Sequence, residues 1–200
     1  MPPAQSTLVP LGSVAPDFDL PDYSGNGRIG RQVAIGDFAE SPLLLAMFIC
    51  NHCPFVLHVL PELARLGRDL AGKGFAIVAI NPNDVERYPD DRPEKMTELA
   101  REHGLVFPYL FDRTQAVAMA YRAACTPDFF LYDAGRRLVY RGQLDDARPR
   151  SDEPVTGADL RRAIDLTLAG EPVPEPHRPS IGCSIKWKPG AEPDYARPTA

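Results

Sequence analysis

The chain has no apolar run long enough to cross a bilayer. Its longest, Leu43 to Ile49, falls far short of the roughly 20 residues that a spanning helix needs. Lysine and arginine are scattered without a basic cluster and the net charge is −5, so the electrostatic footprint of a nucleic-acid binder is missing. Residues 1–14 carry no positively charged segment and no long apolar stretch. Nothing there reads as a secretory leader, and a cytoplasmic address is expected. Four cysteines in 200 residues are too few for a disulfide scaffold. In a reducing compartment such cysteines serve as buried hydrophobes, metal ligands or redox groups.

What is present suits one folded domain. Hydrophobic residues make up 44% and charged residues 24% of the chain, enough to bury a real core at this length. Ala15 to Leu20 alternates like a short strand, Ser24-Gly25-Asn26-Gly27 is a turn signal, and Gln32 to Ile35 is expected to return as the second arm of a hairpin. Leu43 to Ile49 is apolar on both faces, as a central parallel strand is. From Pro54 to Leu70 a stripe of Val56, Leu57, Leu60, Leu63, Ala64, Leu66 and Leu70 repeats at helical spacing, with Pro61 expected to kink the helix.

Phe75 to Ile80 reads as a second buried strand, parallel to the first across the crossover helix. A polar loop follows, in which Asp84, Asp90 and Asp91 are expected to face solvent. Pro93 to His103 reads as a helix closed by Gly104, Val106 to Phe111 as a strand, and Thr114 to Ala123 as a helix. Asp128–Tyr132 and Arg137–Arg141 form a second hairpin, and a last helix runs from about Thr156 to Leu168. The expected fold is α/β, a mixed sheet flanked by helices in the order β-α-β-α-β-α-β-β-α. Residues 1–170 form the domain, including the N-terminal hairpin. Residues 171–200 form a Pro-rich, irregular extension that packs on it through the apolar patch Ile181 to Trp187.

The chemistry concentrates in Cys50-Asn51-His52-Cys53, where a buried strand hands over to a helix. Backbone N–H groups and the positive end of the helix dipole favour a thiolate there. The spacing places both sulfurs on one turn, so a disulfide can open and close without moving the fold. Cys50 is expected to be the exposed nucleophile and Cys53 the more buried resolving partner. The same donors, with His52, are also a plausible set for Zn²⁺ or Cu⁺. No metal is assigned, and thiol chemistry calls for no cofactor.

Three features resemble the thioredoxin-like superfamily, in its redoxin/peroxiredoxin-related (AhpC/TSA-like) branch. They are the Cys50-Asn51-His52-Cys53 motif at a strand–helix junction, Thr126-Pro127 before a hairpin strand, and the entry motif Ala15-Pro16-Asp17-Phe18. The segments Phe48 to Val56 and Ser180 to Trp187 are also similar to a bacterial subfamily of thioredoxin-family proteins with a Cys-Asn-His-Cys motif. The likeness spans residues 12–188. It implies a thioredoxin-like fold and a thiol–disulfide oxidoreductase acting on protein or small-molecule disulfides, kept supplied by an upstream thiol reductant. It makes Pro127 a cis-proline facing the cysteines, with Asn51, Pro54 and Thr126 around the substrate. His52 would stabilise the thiolate and make the disulfide more oxidising than that of a typical thioredoxin.

Departures from the pattern are also visible. Ile49 stands where thioredoxins carry tryptophan, and Leu44 where they carry a buried acid. On the peroxiredoxin register, Ala46 and Cys50 replace the motif's proline and threonine, which leaves thiol peroxidase activity as the alternative, beside a metal-binding or redox-sensing protein using the same sulfurs. Cys125 and Cys183 are candidate auxiliary redox thiols, either buried singly, paired with one another, or exchanging with the Cys50–Cys53 disulfide. The tail and hairpin leave room for a homodimer surface.

Overall fold

The computed structural model describes residues 3–7 and 9–196. The outermost ends of the two expected units, residues 1–2 and 197–200, lie outside it. In chain order the strands and helices are β1 (Ala4–Gln5), β2 (Asp19–Asp22), β3 (Arg31–Ala34), β4 (Leu44–Phe48), α1 (Pro54–Leu70), β5 (Ala76–Asn81), α2 (Pro93–His103), β6 (Tyr109–Phe111), α3 (Ala116–Ala120), β7 (Cys125–Thr126), β8 (Asp128–Tyr132), β9 (Leu138–Gly142), α4 (Ala158–Leu168) and β10 (Ile181–Ser184). Among the described residues, no helix is long and apolar enough to cross a membrane.

Seven strands form the main sheet in the order β3-β2-β6-β5-β4-β8-β9. β4 pairs parallel with β5 and antiparallel with β8, and all five of its residues are buried. Its side chains divide by alternation between the two faces, as a strand period of two requires. Leu45 and Met47 enter one core cluster with α1, α2 and α4. Leu44, Ala46 and Phe48 enter the other, closed by Tyr121 and, from the far end of the chain, by Ile185 and Trp187.

Helix α1 starts where expected, with Cys53 at the N-cap and Pro54 in the first turn, where a missing N–H leaves no bond unmade. It continues through Pro61 as one helix to Leu70. Its buried face is Val56, Val59, Leu60, Leu63, Ala64, Leu66 and Gly67, whereas Leu57 is exposed. Gly67 is required by packing, since a Cβ there would lie 2.8 Å from Phe107 Cδ1. Gly67→Ala should therefore destabilise the protein even though alanine is the better helix former by about 1 kcal/mol. Overpacking costs about 1–3 kcal/mol, and a drop of roughly 2–4 °C in the midpoint of a thermal melt is expected.

Several elements differ from the sequence reading, among them β2, which runs Asp19–Asp22 rather than from Ala15, and the short β1 and β7. β6 begins at Tyr109 rather than Val106, because Pro108 has no N–H for the ladder. α3 is confined to Ala116–Ala120, with Gln115 (φ 65°) and Arg122 (φ 52°) left-handed on either side of it. The tail contains a strand where irregular chain was expected. β10 lies between β1 and β7, antiparallel to both, with Gly182 opposite Ala4 and Cys183 opposite Thr126. Beyond it, Ile185 N–H donates to the Ala124 carbonyl and Lys186 N–H to Asn83 Oδ1, so the extension is woven into the fold on both sides of the strand.

Candidate active site

The end of β4 and the start of α1 bring the motif to the edge of the first core cluster. Cys53, as N-cap, has its carbonyl oxygen 3.0 Å from the Leu57 N–H, the first bond of the helix. The facing segment is β7, whose Thr126–Pro127 peptide bond is cis. Thr126 touches both sulfurs. Cys50 Sγ lies 3.3 Å from Thr126 Oγ1, and Cys53 Sγ lies 3.2 Å from the Thr126 carbonyl oxygen, to which a protonated Cys53 donates. Pro54 opens the helix beside them and Pro127 continues the facing strand.

Both cysteines are buried, Cys50 at 1% and Cys53 at 0% exposure. The expectation of an exposed Cys50 is corrected by this packing, since β10 covers the face where Thr126 lies. Cys183, on that strand, packs against the cluster that holds Cys50 and Cys53 and is the one cysteine with partial exposure. Cys183 is thus brought to the Cys53 side of the cluster, close enough for the two thiols to shift one another's pKa. Cys125 is not. Its thiol is fully buried and points at the carbonyls of Pro127 (3.5 Å) and Ser180 (3.9 Å).

Cys53 is the sulfur whose pKa is lowered. Interaction with the Cys183 and Cys50 thiols and with the Val56 N–H in the first turn of α1 lowers it against the effect of burial. Donation to Cys53, burial and the Asp91 charge push the Cys50 thiol up. Donation to Cys53 and burial push Cys183 up as well, and burial alone is the leading cause for Cys125. The helix N-terminus points at Cys53 because Cys53, not Cys50, is the capping residue.

Asp91 organises the other half of the site, and sequence reasoning placed it in solvent. It is fully buried. Its Oδ1 accepts from the Asn51 backbone N–H (2.8 Å), and its Oδ2 accepts from Asn83 Nδ2 (2.7 Å) and lies 2.8 Å from His52 Nδ1. Asn51 is fixed further by its side chain, which donates to the Asp90 carbonyl and accepts from the Tyr109 hydroxyl at 2.9 Å. The Asp91 carboxylate raises the His52 pKa against the opposing effect of burial, and the imidazole stacks on Tyr88 with ring centres 5.9 Å apart. Leu44, the position where an acid is missing, faces the second core cluster instead. The buried acid near the thiols therefore comes from the loop before α2. The one sequence sign of it was the run of Asn and Asp from Asn81 to Asp91.

Cys50 Sγ, a His52 nitrogen and an Asp91 oxygen lie within 4.8 Å of one another and could ligate a soft cation. Both Asp91 oxygens are already engaged by Asn51 and Asn83, so a metal would compete with bonds that hold the motif in place.

The sequence profile of the AhpC/TSA family matches residues 11–141. Among curated proteins, the methylamine utilization protein MauD of Paracoccus versutus is 33% identical over 48% of this chain, which spans only 40% of that protein's length. The thiol-disulfide oxidoreductase ResA of Geobacillus thermodenitrificans is 30% identical over 67% of this chain and 70% of its own. Among solved structures, an uncharacterized conserved protein from Geobacillus kaustophilus is 53% identical, covers 96% of this chain and 99% of its own, and superposes with a TM-score of 0.90. With the mixed sheet, the strand–helix cysteine motif and the facing Thr126–Pro127 segment, these matches establish a thioredoxin-like fold, and the chain belongs to the AhpC/TSA family.

Proposed function

We propose that the protein is a thiol–disulfide oxidoreductase in which Cys50 and Cys53 form and open a disulfide. The carrying observation is the contact of both sulfurs with Thr126, 3.3 and 3.2 Å away, at the N-terminus of a helix. An S–S bond of about 2.05 Å would join two sulfurs that already meet the same residue. A low-pKa sulfur at the helix start is both the better nucleophile at neutral pH and the better leaving group. Pro127 and Thr126 fix the facing backbone, while Asn51 and Pro54 fix the motif.

His52, kept cationic to higher pH by Asp91, favours thiolate over disulfide. We place the reduction potential above the roughly −270 mV of thioredoxin for that reason. Relatedness to ResA supports disulfide and thiol substrates, and an upstream dithiol would return the pair to its reduced form.

The test is an equilibrium of the purified protein with oxidised and reduced glutathione, read by peptide mapping. A reversible Cys50–Cys53 linkage, half-formed at a potential above −270 mV, is expected. Lack of that linkage in oxidising buffer would sink the proposal. Faster thiol loss to substoichiometric hydrogen peroxide than to oxidised glutathione would move the reading to a thiol peroxidase.

A further inference from the structure

A redox pair that exposes neither sulfur needs a way to meet its substrate. Cys50 and Cys53 are 1% and 0% exposed, and the chain's own β10 fills the space beside Thr126. The strand is held hard against the cis peptide. A Cβ on Gly182 would lie 2.1 Å from the Thr126 carbonyl oxygen and 2.6 Å from its carbon, so only glycine fits there. Its flanks are fixed as well, by the Ser6 N–H donating to the Ser180 carbonyl and by Ile185 and Trp187 in the second core. A substrate segment cannot pair with Thr126 unless it displaces this strand. The residue that β10 sets directly opposite Thr126 is Cys183, which touches the sulfur cluster on one side and solvent on the other.

We propose that Cys183 is the exchange thiol of this protein, the sulfur through which the buried Cys50–Cys53 pair trades electrons with an external disulfide. This rests on the redox role of the pair proposed above. In the reductive direction Cys183 Sγ attacks one sulfur of R–S–S–R′. The new Cys183–S–R bond forms, the external S–S bond breaks, and R′S⁻ leaves and takes up the Cys183 proton, relayed through the Cys53 sulfur. Cys53, as the thiolate, then attacks Cys183 Sγ, forming Cys53–Cys183, and RS⁻ leaves and takes up from solvent the proton that Cys53 gave up on ionising. Cys50 finally attacks Cys53 Sγ, which closes Cys50–Cys53 and releases Cys183 to take up the Cys50 proton. The dithiol has lost two electrons and two protons, the disulfide has become two thiols, and Cys183 is again a thiol. Read backwards, the same steps let a dithiol reductant recharge the pair.

Three contacts fit the relay. Cys50 and Cys53 both meet Thr126, the residue opposite Cys183, and Cys53 interacts with both other sulfurs. The lowered Cys53 pKa suits the second step; in the first, the interaction with Cys53 and burial raise the Cys183 thiol, with Lys186 opposing the rise, so its attack needs the proton to pass to the Cys53 sulfur. Cys125, turned toward the Pro127 and Ser180 carbonyls, takes no part.

The experiment uses the full chain and 5,5′-dithiobis(2-nitrobenzoate) as external disulfide. In Cys53→Ser the relay stops after its first step, so the mixed disulfide should accumulate and map to Cys183. In Cys183→Ser the rate of reaction of the reduced protein should fall on the order of 100-fold, because the thiols that remain must wait for the strand to open. An adduct on Cys50, or none on Cys183, overturns the inference, as does an unchanged rate in Cys183→Ser. If instead wild-type protein forms no Cys50–Cys53 linkage in glutathione buffer, the oxidoreductase reading itself fails, and the two failures are told apart by that control.

Discussion

Serine at position 53 should reduce steady-state disulfide turnover by roughly 10⁴-fold or more, the loss typical when a covalent nucleophile is removed. Cys53 is the sulfur on which the site converges: it meets the Thr126 carbonyl at 3.2 Å, caps α1, and interacts with the Cys50 and Cys183 thiols. Serine keeps the size and the capping oxygen, so the fold should survive with little change in its thermal melt. Cys50→Ser should also stop multiple turnovers but leave a single exchange between Cys53 and Cys183. Thiol release from oxidised glutathione, followed over one and over many equivalents, separates the two variants. Retention of more than a tenth of wild-type turnover in Cys53→Ser would remove this sulfur from the centre of the chemistry.

Asp91→Ala is the substitution expected to cost most in stability. A fully buried carboxylate that accepts from the Asn51 N–H and from Asn83, and faces His52, leaves all three without a partner when it is truncated. Breaking a buried charged contact of this kind costs about 3–5 kcal/mol, which for a chain of this size is a fall of roughly 10 °C in melting midpoint. Asp91→Asn keeps shape and one acceptor and should be milder, which isolates the charge.

The sign of the pH effect follows from His52. Its pKa in the folded protein is raised by Asp91. The stabilisation from this contact is therefore fully present below the unfolded-state value of about 6.5 and disappears as pH rises through the folded-state value. The stability gap between wild type and Asp91→Asn should be widest in mild acid and narrow toward pH 8. An NMR titration of the histidine ring should show a lower His52 pKa in the variant, where burial acts without the opposing carboxylate. A gap that widens with rising pH would contradict the His52–Asp91 linkage.

Local pattern carried the centre of the fold. β4 and β5 were legible because a strand buried on both faces is apolar throughout, and α1 because its apolar stripe follows a single helical period between a capping cysteine and Leu70. The left-handed Gly104 that closes α2 was equally readable. The position of Cys50 and Cys53 at a junction follows from those two elements alone.

What local pattern could not carry was partnership at long range. Asp91 looks like any loop aspartate until the chain brings Asn51 and Asn83 to it, from distances of 40 and 8 residues. β10 has neither the length nor the alternation of a strand, and exists because β1 and β7 supply a ladder on each side. Cys183 is readable from sequence as an auxiliary redox thiol, but which sulfur it meets is not, for the same reason. Its meaning depends on facing Thr126 rather than Cys125, a difference of one residue in register that reverses which face a side chain occupies.

The chain's single tryptophan, Trp187, sits in the same tail and is 5% exposed among the side chains of the second core. Its indole is thus an optical reporter that the polypeptide already carries. Any event that lifts the C-terminal segment off the sulfur cluster must also wet this ring or change what surrounds it, so the closed and open forms should differ in emission without a label being attached.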